Sequence, residues 1–318
     1  MPRRKLTAKS SPVSTETVVR ELSTVRDFVR YAVSRFQKAG LHFGHGTHSA
    51  YDEAVFLALE GLRLPIEQLE PYLDAKLLPD ERRHLADLIE KRVSTRKPLA
   101  YILKKTYLQG VPFYVDERVI VPRSYIADLL FSDVLNLEGH ALIDNPEEVT
   151  SVLDLCTGSG CLAILAAMLF PNAEVDAVDL SPEALEVAKI NVAQSGMQDR
   201  VTLFKGDLFK PLKGRKYDFI ITNPPYVEAE LLQDMPKEYL HEPMMALASG
   251  TDGLDITRRI LKEAPNYLNP DGQIICEIGY GRERLEEEYP GIPFLWLDTE
   301  NSEGEVFWLT REQMAVHA

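Results

Sequence analysis

From residue 151 onward, short apolar runs alternate with stretches whose apolar residues recur at helical spacing, and that alternation leaves few folds open. Ser151–Cys156, Glu174–Asp179, Val201–Phe204 and Tyr217–Thr222 read as strands, with helices predicted over Gly160–Phe170, Pro182–Ser195 and Thr257–Leu268. Gln273–Ile278, Pro293–Asp298 and Glu305–Thr310 supply the remaining strands. Strands that feed helices in this way build a doubly wound, mostly parallel α/β sheet covered on both faces. Gly304, just ahead of the last run, suits an antiparallel hairpin that closes the edge.

The chain ahead of this region has a different grammar. Val18, Leu22, Val25, Val29, Ala32 and Phe36 predict one helix over Glu16–Ala39, with Gly40 where a C-terminal cap belongs. Ser49-x-x-Asp52 resembles a capping box that opens a second helix running through Leu62 and stopped by Pro65. A third starts near Pro79 and ends before Pro98. Nothing here alternates like a strand, so residues 16–105 are expected to form a small all-helical domain. Residues 1–15 are polar, basic and Pro/Ser-containing, the composition of a disordered tail. Residues 106–150 form a linker: a hairpin over Tyr107–Val121, broken at Gly110-Val111-Pro112 and Asp116-Glu117, then a helix over Ile126–Leu137. Residues 151–318 hold the sheet. A length of 318 residues accommodates two such domains.

Charge and cysteine content narrow the function. Thirty-five Lys and Arg against 49 Asp and Glu leave a net −14, which speaks against bulk nucleic-acid binding. The division is uneven: residues 1–105 carry 19 basic against 13 acidic side chains, so residues 106–318 carry 16 against 36. The basic run Arg82, Arg83, Lys91, Arg92, Arg96, Lys97, Lys104 and Lys105 suits an anionic partner such as ribosomal RNA, or a solvated helix face. The longest apolar stretch, Cys161 to Phe170, is too short for a membrane span, and no apolar segment follows Arg3, Arg4 and Lys5 to make a secretory signal. Three cysteines, Cys156, Cys161 and Cys276, fit a reducing, cytoplasmic compartment. His42, His45 and His48 recur every third residue, but Gly44 and Gly46 make this a loop and no further ligand completes a metal site, so no metal is expected.

Two segments carry chemistry. In Val152-Leu153-Asp154-Leu155-Cys156-Thr157-Gly158-Ser159-Gly160 an apolar strand runs into a glycine turn and then a helix, the place where such sheets receive a ligand. Asp179, ending the next strand, is positioned to accept hydrogen bonds from ribose hydroxyls. Gly158-x-Gly160-x-x-Ala163 equally satisfies a dinucleotide fingerprint, so a nicotinamide oxidoreductase competes at this point. The second segment, Asn223-Pro224-Pro225-Tyr226, decides against it. Prolines donate no backbone hydrogen bonds, and Pro224 pushes Asn223 towards an extended conformation. The Pro224 carbonyl and the Asn223 side-chain oxygen are then adjacent acceptors, matched to the two hydrogens of a planar –NH2 group, with an aromatic ring next to them.

Together these segments resemble the class I S-adenosylmethionine-dependent methyltransferases that act on planar –NH2 groups. Two branches share Asn-Pro-Pro-Tyr: protein glutamine methyltransferases and adenine-amino DNA methyltransferases. Lys97-Pro98-Leu99-Ala100-Tyr101-Ile102, Phe113-Tyr114-Val115, Val121-Pro122-Arg123, Glu242-Pro243 and Asp252-Gly253-Leu254 match the glutamine branch, and no insertion is large enough for a DNA-recognition domain. The release-factor enzymes of that branch resemble Pro-Arg-Pro-x-Thr-Glu, where this chain has Pro122-Arg123-Ser124-Tyr125-Ile126-Ala127. With His42-Phe43-Gly44-His45-Gly46-Thr47 and Asp52-Glu53-Ala54, this departure is similar to the subgroup that methylates a glutamine of the third large-subunit ribosomal protein.

The resemblance implies a Rossmann-like catalytic domain over 151–318, a substrate-recognition role for 16–105, and S-adenosyl-L-methionine as cofactor. It implies cofactor contacts from Asp154, Cys156, Thr157, Gly158, Ser159, Gly160, Asp179, Asp207, Leu208 and Asn223. It places Asn223, Pro224, Pro225 and Tyr226 in catalysis, and Asn223, Pro224, Tyr226 and Arg123 against the substrate. The implied partner is the ribosomal protein or an assembly intermediate that carries it, whose basic character the acidic rear half suits. No His, Cys or Lys beside Asn-Pro-Pro-Tyr offers itself as a general base. The release-factor and adenine activities remain alternatives, and so does a ribosome-assembly factor with a merely structural pocket.

Overall fold

A computed structural model describes residues 14–132, 142–143 and 145–315. The chain divides into two compact units, residues 1–103 and 104–318. Most of the expected disordered tail lies outside the described residues, although Ser14 caps the first helix by accepting from the Thr17 amide.

The first unit is helical: α1 (Thr15–Glu21), α2 (Val25–Ala39), α3 (Ala50–Gly61), α4 (Pro79–Thr95) and α5 (Leu99–Leu103). Phe28, Ala32, Phe36, Leu57, Leu85 and Ile89 form its core. The single helix expected over Glu16–Ala39 is in fact two. Thr24 is extended and accepts from the Asp27 amide, while the Asp27 carboxylate accepts from the Ser23 and Thr24 amides, so a complete capping box restarts the helix. The apolar spacing runs across this break, which is why periodicity alone does not reveal it. The basic run is likewise not one continuous cationic face. Arg92 is buried against Glu53 at 2.7 Å and also donates to the His42 carbonyl, while Arg96 caps the end of α2 through the Ala39 and Gly40 carbonyls. Arg82 donates to the Leu77 carbonyl.

The second unit opens with a hairpin shorter than expected: β1 (Thr106–Leu108) and β2 (Val111–Phe113). Gln109 and Gly110, both at positive φ, make the two-residue turn, so Pro112 sits in a strand rather than at the bend. Beyond Phe113 the chain is irregular up to α6 (Tyr125–Leu130). The C-terminal part of the helix expected to Leu137 falls largely outside the described residues.

There follow β3 (Ser151–Leu155), α7 (Cys161–Leu169), β4 (Glu174–Asp179), α8 (Pro182–Gln194), β5 (Val201–Lys205), β6 (Tyr217–Thr222), α9 (Asp255–Glu263), β7 (Leu268–Glu277), α10 (Arg282–Glu288), β8 (Leu295–Thr299), β9 (Ser302–Thr310) and α11 (Arg311–Ala315). The seven-stranded sheet has the order β5-β4-β3-β6-β7-β9-β8. It is parallel except where β9 runs antiparallel to both β7 and β8. This is the doubly wound sheet expected from the alternation, and the Rossmann-like one that the resemblance implied. Gly304 lies inside β9 rather than ahead of it. One core packs α7 on one face of the sheet; a second packs Leu261 of α9 and Leu285 of α10 on strand residues Leu153, Ile220 and Ile274. The strand order reverses between β3 and β6, which opens a crevice beyond their carboxyl ends. No helix among the described residues is long and apolar enough to cross a membrane.

Candidate active site

Three loops at the carboxyl ends of β3, β4 and β6 build the site. After Leu155 the chain turns through Cys156 at φ 60°, a left-handed conformation that a residue with a side chain adopts only at a cost. The turn is tied down on several sides. The Thr157 amide donates to the Val178 carbonyl at 3.0 Å, and the Thr157 hydroxyl and Ala163 amide both donate to Asp154 Oδ2. Asp154 is fully buried, its Oδ1 has no hydrogen-bond partner among the described residues, and desolvation pushes its carboxyl up to about 7. Gly160 opens α7 at φ 79°, and a Cβ there would stand 3.2 Å from that of Ala188. A side chain there would crowd α8 and strain a backbone at positive φ. Ser159 Oγ meets Cys161 Sγ at 3.0 Å.

Asp179 ends β4. Its carboxylate accepts from the Gly158 amide and the Ser181 amide, each at 2.8 Å, and burial pushes its carboxyl upward. On the neighbouring loop Asp207 bridges Lys210 and Arg259, both at 2.7 Å, which hold its carboxyl below the usual range. Leu208 follows at φ 51°, a second strained residue at the same cavity.

Thr222, the last residue of β6, donates its hydroxyl to the Leu155 carbonyl at 3.0 Å, which locks together the two strand ends at the reversal. Asn223 then lines the cavity, half-buried, and among the described residues its side-chain amide has no hydrogen-bond partner in the protein. No backbone donor reaches the Pro224 carbonyl among the described residues either. Tyr226 is held at its hydroxyl, which donates to Glu277 at 3.0 Å. Arg123 forms a two-pronged pair with Glu242 at 2.6 and 2.7 Å, and Glu242 also accepts from the Val121 amide.

Cys156, Gly158, Asp179, Leu208 and Asn223 converge on one cavity of about 250 Å³, with Asp207 and Pro225 also on its wall. Asp154, Thr157, Ser159 and Gly160 stand behind the wall and shape the turn. Pro224 and Tyr226 lie beside the cavity rather than on its lining. These residues fit S-adenosylmethionine: a buried carboxylate at the end of β4 that would accept from ribose hydroxyls, a close-approach glycine turn, and an acidic side chain beside Leu208 on an apolar wall.

A methyltransferase small domain matches residues 139–251. The ribosomal protein uL3 glutamine methyltransferase of Bradyrhizobium diazoefficiens is 58% identical over 91% of this chain and 91% of its own length. The chain belongs to the ribosomal protein uL3 glutamine methyltransferases. The Bordetella pertussis and Burkholderia pseudomallei members are 52% and 50% identical, each over 92% of this chain and over 97% and 95% of their own.

Several further residues support this uL3 methyltransferase site. Asn191 of α8 accepts from the Tyr114 amide and donates to the Tyr114 and Ser159 carbonyls, joining the segment after the hairpin to the glycine turn. Glu277 and Gly279 both pack on Tyr226. A carboxylate closing the apolar run of β7, followed by Ile278 and a glycine, was the available signal, since a charge at that position calls for buried partners. Among the described residues no group of three or more His, Cys, Asp or Glu is placed to hold a metal ion.

Proposed function

We propose that the protein methylates the side-chain amide nitrogen of a glutamine in ribosomal protein uL3, using S-adenosyl-L-methionine. The observation that carries this reading is the Asn223 amide on the cavity wall, without a partner among the described residues, with the Pro224 carbonyl, which no described backbone donor reaches, next to it. When bound, S-adenosylmethionine supplies an electrophilic methyl group on its sulfonium.

The amide lone pair is delocalised into its carbonyl, so nitrogen is a weak nucleophile. Asn223 Oδ1 and the Pro224 carbonyl would each accept one N–H of the substrate amide, which raises electron density on nitrogen and fixes its orientation. Pre-alignment of this kind is worth up to roughly 7–11 kcal/mol in well-oriented systems. No base of ordinary strength is needed, because an amide nitrogen that has just gained a methyl group is strongly acidic and loses its proton to water. Three free cysteines, two of them buried, support a reducing, cytoplasmic location.

The test is methyl transfer from labelled S-adenosylmethionine to unmethylated uL3, a peptide-release factor and adenine-containing duplex DNA, with mass mapping of the labelled atom. Label on a glutamine amide of uL3 is expected; label only on the release factor or DNA would overturn the substrate assignment. Asn223→Ala should lower kcat by at least about a hundredfold, the scale of losing a transition-state contact of roughly 3 kcal/mol.

A further inference from the structure

Glu277 is completely buried at the end of β7, and among the described residues no cation pairs with it. Three donors converge on its carboxylate instead. Ser124 Oγ at 2.7 Å and the Tyr125 amide at 3.0 Å reach one oxygen, and the Tyr226 hydroxyl reaches the other at 3.0 Å. Arg123, the adjacent cation in sequence, is committed to Glu242. A buried carboxylate without a counter-ion is costly, so a fold that retains one at a catalytic loop retains it for what it holds.

What it holds is the orientation of one ring. Tyr226 follows the two acceptors of the amide clamp directly, and its ring leans on Gly279, where a Cβ would stand 2.8 Å from the ring. Gly279 sits at φ 55° and leaves room for that approach. The ring is thus seated against Gly279, where the absence of a side chain admits it, and tied at its far end by a hydrogen bond, which together set its rotation. The second carboxylate oxygen engages the start of α6 at Ser124 and Tyr125, where this chain departs from the release-factor pattern.

We infer that Glu277 is a positioning residue for amide methylation, acting through the Tyr226 hydroxyl to fix the ring that flanks the Asn223–Pro224 clamp, with Ser124 anchoring the carboxylate from the other side. The inference rests on the amide-methylation reading above. Glu277 lines no part of the cofactor cavity, so its effect falls on turnover and not on cofactor binding.

The experiment is a double-mutant cycle on the full chain with Glu277→Gln and Tyr226→Phe, following kcat, the KM for uL3 and S-adenosylmethionine affinity by calorimetry. Each single variant should lower kcat about tenfold or more with cofactor affinity within about twofold of wild type, and the double variant should be no slower than the worse single one. Multiplicative losses in the double variant, a fall in cofactor affinity that tracks the fall in kcat, or near-normal turnover of either single variant would each overturn the inference. If Glu277→Gln does not fold, Ser124→Ala replaces it in the cycle, with the same non-additivity expected and the same outcomes against it. Wild-type protein that transfers no methyl group to a uL3 glutamine would instead defeat the functional reading, so the two failures are distinct.

Discussion

Asp154 and Glu277 are two fully buried carboxyls, and desolvation pushes both up to about 7, well above the ordinary carboxyl range. Between the unfolded and folded values the native protein binds more protons than the unfolded chain. Their contribution to stability is therefore fully present at low pH and is lost as pH rises through that window towards 7. Asp154→Asn removes one of the two titrations and should flatten the decline in melting temperature from about pH 5 to about pH 8. Thermal melts across that range check it, and a variant slope equal to that of wild type contradicts it. At this scale Asp179 was legible, because a carboxylate ending a strand beside a glycine turn has a local signature. The strain at Cys156 and Leu208 was not, since neither residue type announces a left-handed backbone.

The seven strands of the large sheet and the longer helices were legible, because apolar periodicity records which face is buried, whereas the short helices α5, α10 and α11 were not. The misplaced boundaries share one cause. The α1–α2 break, the short hairpin and the early start of β7 at Leu268 are set by hydrogen bonds that periodicity does not register. Asn191 shows what this hides. It lies on α8, yet its amide serves backbone groups at Tyr114, 77 residues away, and at Ser159, 32 residues away. Asn191→Ala would leave those groups without that partner, at a cost of about 2–4 kcal/mol by the usual penalty for unpaired buried polar groups. Urea unfolding should show that loss together with weaker S-adenosylmethionine binding, because the glycine turn and the segment carrying Arg118 and Val119 both border the cavity. Unchanged cofactor affinity would separate Asn191 from the site.

For the molecule as a whole, charge is the property that reaches furthest. Residues 106–318 carry a net −20 by formal count, and a field of that sign accelerates encounter with a basic protein while salt screens it. Raising ionic strength from about 0.05 to about 0.3 M should raise the KM for uL3 several-fold and move the KM for S-adenosylmethionine much less. Steady-state kinetics at the two salt concentrations decide it, and equal shifts for both substrates would argue against long-range steering.

The amino-acid sequence by itself determined the layered α/β architecture, the glycine turn and the Asn-Pro-Pro-Tyr acceptors. Each follows from periodicity or from covalent constraint within a few residues, and two prolines limit their backbone wherever they are placed. Only the tertiary structure decided which distant groups support that loop. Arg123 and Glu242 are 119 residues apart and Ser124 and Glu277 are 153 apart, and no local pattern encodes such pairings. They meet because the segment ahead of α6 reaches the carboxyl end of β7, where Glu277 stands, and the stretch after β6 that carries Glu242. Burial then favours partners from other parts of the chain for the polar groups gathered there.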